Sequence, residues 1–291
     1  MKQSLTALIA ERMAQLSKGQ KRIATYILDD YENAAFLTAQ RLGEMAGVSE
    51  STVVRFAAEL GFDGYPELQR AMQEMIRSRL TSVQRVEVTR SRMADNEVLD
   101  RVVAYDIHNI RRTLEEMPRD TFYAAVDALV NARKVYIFGA GSCRALASFT
   151  AYYLKMLLPE AQLVTTGSNL EIFEEMRHIG EEDALIGLSF PRYSSKAVNT
   201  VRLAHDRGAQ VIAITDSRLS PIAPYARHLL LCHSDMASIV DSLVAPLSVI
   251  NALIVAVSLR RMEENREPLR ELEQLWADYG VYQSPDKENE A

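Results

Sequence analysis

Apolar residues recur at helical spacing through the first eighty positions. Leu5, Leu8, Ile9, Met13 and Leu16 fall on one stripe, and Ile23, Ala24, Ile27 and Leu28 on a second, after a break at Ser17-Lys18-Gly19. Between Leu42 and Phe62 the text LGEMAGVSESTVVRFAAELGF reads as two short helices joined by a tight turn. Ala39 and Gly43 are small enough to let those helices approach, Gly47 suits a positive-φ turn position, and Val48, Val53 and Phe56 form the inward seam. Thr38 is placed to cap the first helix and Ser49 the second. Another helix is expected from about Tyr65 to Arg79, which closes an all-helical module over residues 1–79.

The pattern changes after that. Residues 80–95 are polar and weakly periodic, which suits a linker or a continuation of the preceding helix. Helical stretches at about 96–116 and 119–131 lead into short β-branched runs: Val135 to Phe138, Leu163 to Thr165, Ala184 to Leu188, Val211 to Thr215 and His228 to Cys232. Helical patterns at about 143–158, 169–177, 195–207 and 239–262 separate or follow them. Continuous apolar strands alternating with helices imply a parallel sheet covered on both faces. The expected chain is therefore multidomain, all-α and then α/β, with the second domain over residues 96–280 and a charged, disordered tail over 281–291.

Composition narrows the classes. At 48% hydrophobic and 25% charged, the chain has the makeup of an ordinary soluble protein. Its most apolar run, Leu243 to Leu259, is interrupted by Pro246, Ser248, Asn251 and Ser258, so a buried helix is expected and no membrane partner. Cys143 and Cys232 sit in apolar segments without metal-ligand spacing, implying buried thiols in a reducing compartment, the cytoplasm, and no metal or other cofactor.

The outward start of the 50–60 helix carries Glu50, Ser51, Thr52 and Arg55, the side a recognition helix offers to base edges and phosphates. Charge works against a strong single contact with DNA. Residues 1–80 hold ten basic and ten acidic side chains, so the whole net charge of −6 lies beyond them. Binding by such a module needs its cations clustered, with Lys18, Lys21, Arg22, Arg41 and Arg55 available, and two modules paired on a dimer. Ser49 and Lys21 are placed to steady the phosphate backbone.

Two loops of the second domain carry a different chemistry. Gly139 to Ala147, GAGSCRALA, is a glycine turn that opens a helix, and free N–H groups at a helix start suit an anion. Arg144 stands where a dinucleotide fingerprint needs its third glycine, so nucleotide binding is poorly supported. The second loop, Ser189-Phe190-Pro191-Arg192-Tyr193-Ser194-Ser195, also leads into a helix. Gly139, Gly141, Ser142, Cys143, Ser189, Arg192, Tyr193, Ser194 and Ser195 are thus candidates for a pocket sized for a phosphosugar, with Arg192 available to phosphate. The bland alternative is a pair of tight strand-to-helix turns with no ligand.

VSESTVVRFAAELGFDGYPELQ, VYIFGAGSCRALA and LIGLSFPRYSSKAVNTVRLAHDRGAQVIAITDS together resemble the RpiR/MurR family of bacterial regulators, across nearly all of residues 1–280. The resemblance implies an N-terminal helix-turn-helix domain, a C-terminal sugar isomerase (SIS) domain, a homodimer or homotetramer, a palindromic double-stranded DNA operator and a small effector, a phosphosugar first. Family members commonly carry Ser-x-Ser-Gly-x-Thr where this chain has Ser189, Pro191, Arg192 and Ser194, so a serine and a glycine are replaced. SIS isomerases imply a second possibility, an enzyme with its base and ring-opening group among Glu171, Glu174, Glu175 and His178. A fused DNA reader favours a sensor over a catalyst, and a ligand other than a phosphosugar stays open.

Overall fold

The computed structural model describes residues 5–35, 37–79, 81–90, 94–165, 167–235 and 239–282; part of the expected linker (80 and 91–93) and the expected tail from 283 lie outside them. Six helices make the first unit: α1 (Leu5–Arg12), α2 (Lys18–Asp29), α3 (Tyr31–Ala34), α4 (Ala39–Ala46), α5 (Glu50–Glu59) and α6 (Tyr65–Arg79). The stripes converge on one core in which Ile9, Ile23, Ile27, Leu42, Val53, Phe56 and Leu68 are fully buried. Ser17 and Gln20 form a reciprocal capping box that starts α2. Tyr65, whose hydroxyl donates to Leu37 O at 2.7 Å, and Gln69, which donates to the same oxygen at 2.6 Å, tie α6 to the loop before α4.

The segment read as a linker contains a helix of its own, α7 (Ser82–Arg90), followed by a short 3-10 turn at Asp95–Glu97. The second unit then runs α8 (Val98–Glu116), α9 (Arg119–Asn131), β1 (Val135–Gly139), α10 (Cys143–Leu157), β2 (Ala161–Leu163), α11 (Asn169–Glu175), β3 (Ala184–Leu188), α12 (Ser195–Asp206), β4 (Gln210–Thr215), β5 (His228–Leu231), α13 (Val244–Arg260) and α14 (Met262–Asp278). All strand pairs are parallel, in the order β2-β1-β3-β4-β5.

Alternation along each strand divides the core. Val135, Ile137, Ile186, Ile212 and Ile214 face α9, α10 and α13, while Tyr136, Phe138, Leu185, Val211 and Ala213 face α11 and α12. Asp183, fully buried before β3, is held by Arg133 through two hydrogen bonds of 3.0 and 2.8 Å and by the Gly180 N–H at 2.9 Å, which meets the requirement that a buried charge be paired.

Two expectations shift. The second strand begins at Ala161 rather than Leu163, because pairing with Val135–Ile137 sets its register right after the Pro159-Glu160 turn, whatever the β-branched run beyond it suggests. The helix read over 239–262 starts at Val244, with Pro246 in its first turn where no amide donor is needed, and ends at Arg260. There the chain bends by 101° into α14, and no single described helix is long and apolar enough to cross a membrane.

Candidate functional site

The turn between α4 and α5 is built as its composition demands. Gly47 ends α4 at φ 64°, and a Cβ there would collide with the Arg22 guanidinium. A Cβ on Gly43 would stand 2.9 Å from Val48 O, so only glycine lets α4 come this close to the turn. Ser49 occupies the N-cap of α5 with extended backbone but makes no side-chain capping bond; its hydroxyl instead meets Ser51 Oγ at 3.0 Å and Thr52 Oγ1 at 2.9 Å. The three hydroxyls form a small network at the helix start.

From that base, Glu50, Ser51 and Arg55 are exposed, with Arg55 Nε donating back to Ser51 O at 3.3 Å. Thr52 is half-buried, close enough to α2 that a Cβ on Gly19 would lie 3.3 Å from its methyl. Lys21 is exposed on α2. Arg41 is exposed but held by Glu44 at 2.6 Å, so its charge is partly neutralised within α4, and the Glu44 carboxyl is lowered by that hydrogen bond. Val54, 42% exposed on α5, was outside the sequence reading; an exposed β-branched residue between Ser51 and Arg55 offers an apolar contact of the kind that fits a thymine methyl.

The second constellation lies at the carboxyl ends of β1 and β3. From β1 the sheet runs to β2 on one side and β3 on the other, so these strands flank the point where the winding reverses, the usual crevice of an open parallel sheet. The loop after β1 turns at Gly141 with φ 61° and leaves Ser142 exposed at the start of α10. A Cβ on Gly139 would stand 2.5 Å from Cys143 O, so the strand and helix meet backbone to backbone. Cys143 itself points into the core, and burial pushes its thiol up to about 11; what it offers a ligand is its backbone, not a thiolate. Cys232 is likewise a buried free thiol, pushed up by burial.

The loop after β3 keeps a glycine-like course without a glycine. Arg192 has φ 60°, the single positive-φ residue other than glycine among those described. Pro191 is buried, Arg192 exposed, Tyr193 and Ser194 half-buried and Ser195 exposed. Ser194 is the N-cap of α12 and makes no side-chain capping bond. Ser189 is buried, its N–H donating to Ile214 O at 3.2 Å and its carbonyl accepting from Thr215 Oγ1 at 2.6 Å. Sequence reasoning missed Asp216, which accepts from Tyr193 Oη at 2.9 Å, and Lys196, whose Nζ reaches Gly167 O at 2.7 Å. The only available signal was their place after a β-branched strand and in a helix start.

Two of the three carboxylates raised for catalysis have other partners, while Glu174 is exposed on α11. Glu171 forms a capping box with Ser168, accepting from Ser168 N at 2.5 Å. Glu175 accepts from Thr165 N at 3.0 Å and from the Thr165 hydroxyl, and His178 Nε2 accepts from Arg177 Nε at 2.8 Å.

Comparison with known proteins supplies the remaining findings. Residues 3–79 match the helix-turn-helix domain of the rpiR family and residues 128–256 match the SIS domain. The chain is 25% identical over 277 residues to the transcriptional regulator HexR of Pseudomonas aeruginosa, covering 91% of this chain and 93% of HexR. Among solved structures it is similar to the sugar isomerase domain of an RpiR transcription factor from Sphaerobacter thermophilus, at 30% identity and TM-score 0.57, over 61% of this chain and 99% of that one. It is also similar to the Vibrio vulnificus NanR protein complexed with ManNAc-6P, at 18% identity and TM-score 0.59, over 94% and 98% of the two chains.

Proposed function

Since this chain belongs to the rpiR family of helix-turn-helix regulators with a SIS domain, we propose that it is a cytoplasmic DNA-binding transcriptional regulator of carbohydrate or related metabolism, controlled by a phosphosugar. The observation that carries the DNA half is the exposed polar start of α5, whose opposite face packs into the domain core. In the proposed complex α5 enters a major groove, Ser51, Thr52 and Arg55 reach base edges or phosphates, and Glu50 lies beside them. Ser49, Lys21 and Arg41 contact the backbone, Arg41 by exchanging Glu44 for a phosphate. SIS domains of two subunits pair, as a dimer or within a tetramer, and set two readers on a palindromic operator.

The effector half rests on two helix-start loops meeting at the sheet's switch point. Gly139, Gly141, Ser142 and the Cys143 backbone form one wall, and Ser189, Arg192, Tyr193, Ser194 and Ser195 the other. ManNAc-6P in NanR makes phosphorylated sugars the first class to try. The effector works by binding unequally to operator-competent and incompetent arrangements. We read the chain as a regulator and not an isomerase, because Glu171 and Glu175 are engaged in helix capping and loop closure.

Fluorescence anisotropy on an operator selected from the source genome tests the first half. Arg55→Ala should weaken binding by roughly 5- to 150-fold at matched salt; unchanged affinity refutes the recognition helix. Calorimetry against a panel of aldose and ketose phosphates tests the second. Binding that weakens in Ser142→Ala and Ser194→Ala is expected, and no binding by any member refutes the phosphosugar.

A further inference from the structure

Helix α7 is oriented against its own hydrophobicity. Val83 and Val86 are 67% and 47% exposed, while Arg85 is 1% exposed. The guanidinium enters the SIS domain, where Nη1 lies 2.9 Å from Asp241 Oδ1, itself in a half-buried position. Burial raises the Cys143 thiol and the Asp241 charge adds a smaller part. The next residue, Ser242, is anchored by its hydroxyl to Asp106 of α8 at 2.5 Å. At the other end of α7, Ser82 Oγ accepts from Arg192 Nη1 at 3.4 Å, and Arg192 is the positive-φ residue of the second loop. One nine-residue helix therefore touches the second loop directly and holds Asp241 of the SIS domain, and it is the segment that joins the two domains.

Burying an arginine while two valines stay in solvent is costly, and the Asp241 carboxylate offsets only part of that cost. The second loop has Arg192 as its one cation, but Pro191 has no N–H to give an anion and Asp216, hydrogen-bonded to Tyr193, repels one, so a second positive group would help. We propose that α7 is a strap across the effector site and that Arg85 is an effector-binding residue supplied by the linker, exchanging Asp241 for the effector's phosphate. This rests on the effector-site reading given above. Binding then changes the hold on the very helix that leads to the DNA reader, which gives ligand and operator a physical route of coupling.

Hydrogen exchange of the full-length protein, read at amides 83–90, tests this. Asp241→Asn should speed exchange there at least tenfold while the β1 and β3 amides stay unchanged. The milder Ser82→Ala, at an exposed position that cannot compromise folding, should speed it two- to threefold. In the wild type, inorganic phosphate should alter exchange at 83–90 relative to sodium chloride of equal ionic strength, and Arg85→Gln should abolish that response. Exchange within twofold of wild type in both Asp241→Asn and Ser82→Ala overturns the strap; a loosened α7 with no phosphate response overturns Arg85 as the anion's partner. Failure of the phosphosugar reading looks different: no sugar phosphate binds by calorimetry, yet Asp241→Asn still loosens α7.

Discussion

Arg192 allows the backbone of the effector loop to be weighed separately from its charge. Its φ of 60° places Cβ against the following carbonyl, which costs a residue other than glycine about 1–2 kcal/mol. Arg192→Ala and Arg192→Gly both delete the guanidinium and its 3.4 Å contact with Ser82, so their difference reports the conformation alone. Glycine relieves the crowding but loses about 0.4–1 kcal/mol to the greater freedom of the unfolded chain. Arg192→Gly should therefore be more stable than Arg192→Ala by about 0.5–1 kcal/mol. At Glu271, exposed within α14, the order should reverse, with glycine less stable than alanine by about 0.8–1 kcal/mol. Urea unfolding at equal m value measures both differences, and each kcal/mol corresponds to roughly 2–4 °C in Tm for a chain of this size. If alanine matches or exceeds glycine at position 192, the left-handed course of this loop is wrong.

Three further outcomes follow from the geometry. Gly139→Ala places a methyl 2.5 Å from Cys143 O, backbone that cannot step aside, so it should cost about 1–3 kcal/mol in urea unfolding; wild-type stability would deny the close approach. Tyr65→Phe should cost about 0.5–1.5 kcal/mol, because Leu37 O still accepts from Gln69, whereas removing both donors with Tyr65→Phe and Gln69→Leu should cost more than the two single changes added; additivity would refute the shared acceptor. His228 has its pKa lowered, by burial first and then by the Arg227 charge, so the unfolded chain takes up its proton more readily than the folded one. The stability tied to its neutral ring is complete above the unfolded value of about 6.5 and is lost as pH falls through the folded value; His228→Gln should flatten the decline between pH 7.5 and 5, and parallel profiles would refute it.

The DNA reader was the most legible part of the chain, since its signals are local. Gly47 needs a positive φ, Val53 and Phe56 need burial, and the ten residues from Gly47 to Phe56 contain the consequences of both. Ser49 was assigned the right place and the wrong bond: N-cap preference is written in residue type, but the direction of a hydroxyl is set by Ser51 and Thr52 beside it. Arg41 shows the same limit, as nothing in its own periodicity tells that Glu44 holds it. In the second domain the alternating strands and helices were readable, while the edge strand β2 was misplaced by two residues because register belongs to its neighbour β1.

By itself, the sequence determined two units, their order, the turn that presents α5 and the two loops at the ends of β1 and β3, all of which depend on residues within a few positions of one another. The tertiary structure decided which loops become neighbours, through the strand order that reverses at β1. It also brought Arg85 to Asp241, 156 residues away, and Arg192 to Ser82, 110 away. Such pairings follow from the packing of whole elements against a shared core, and local pattern holds no record of them.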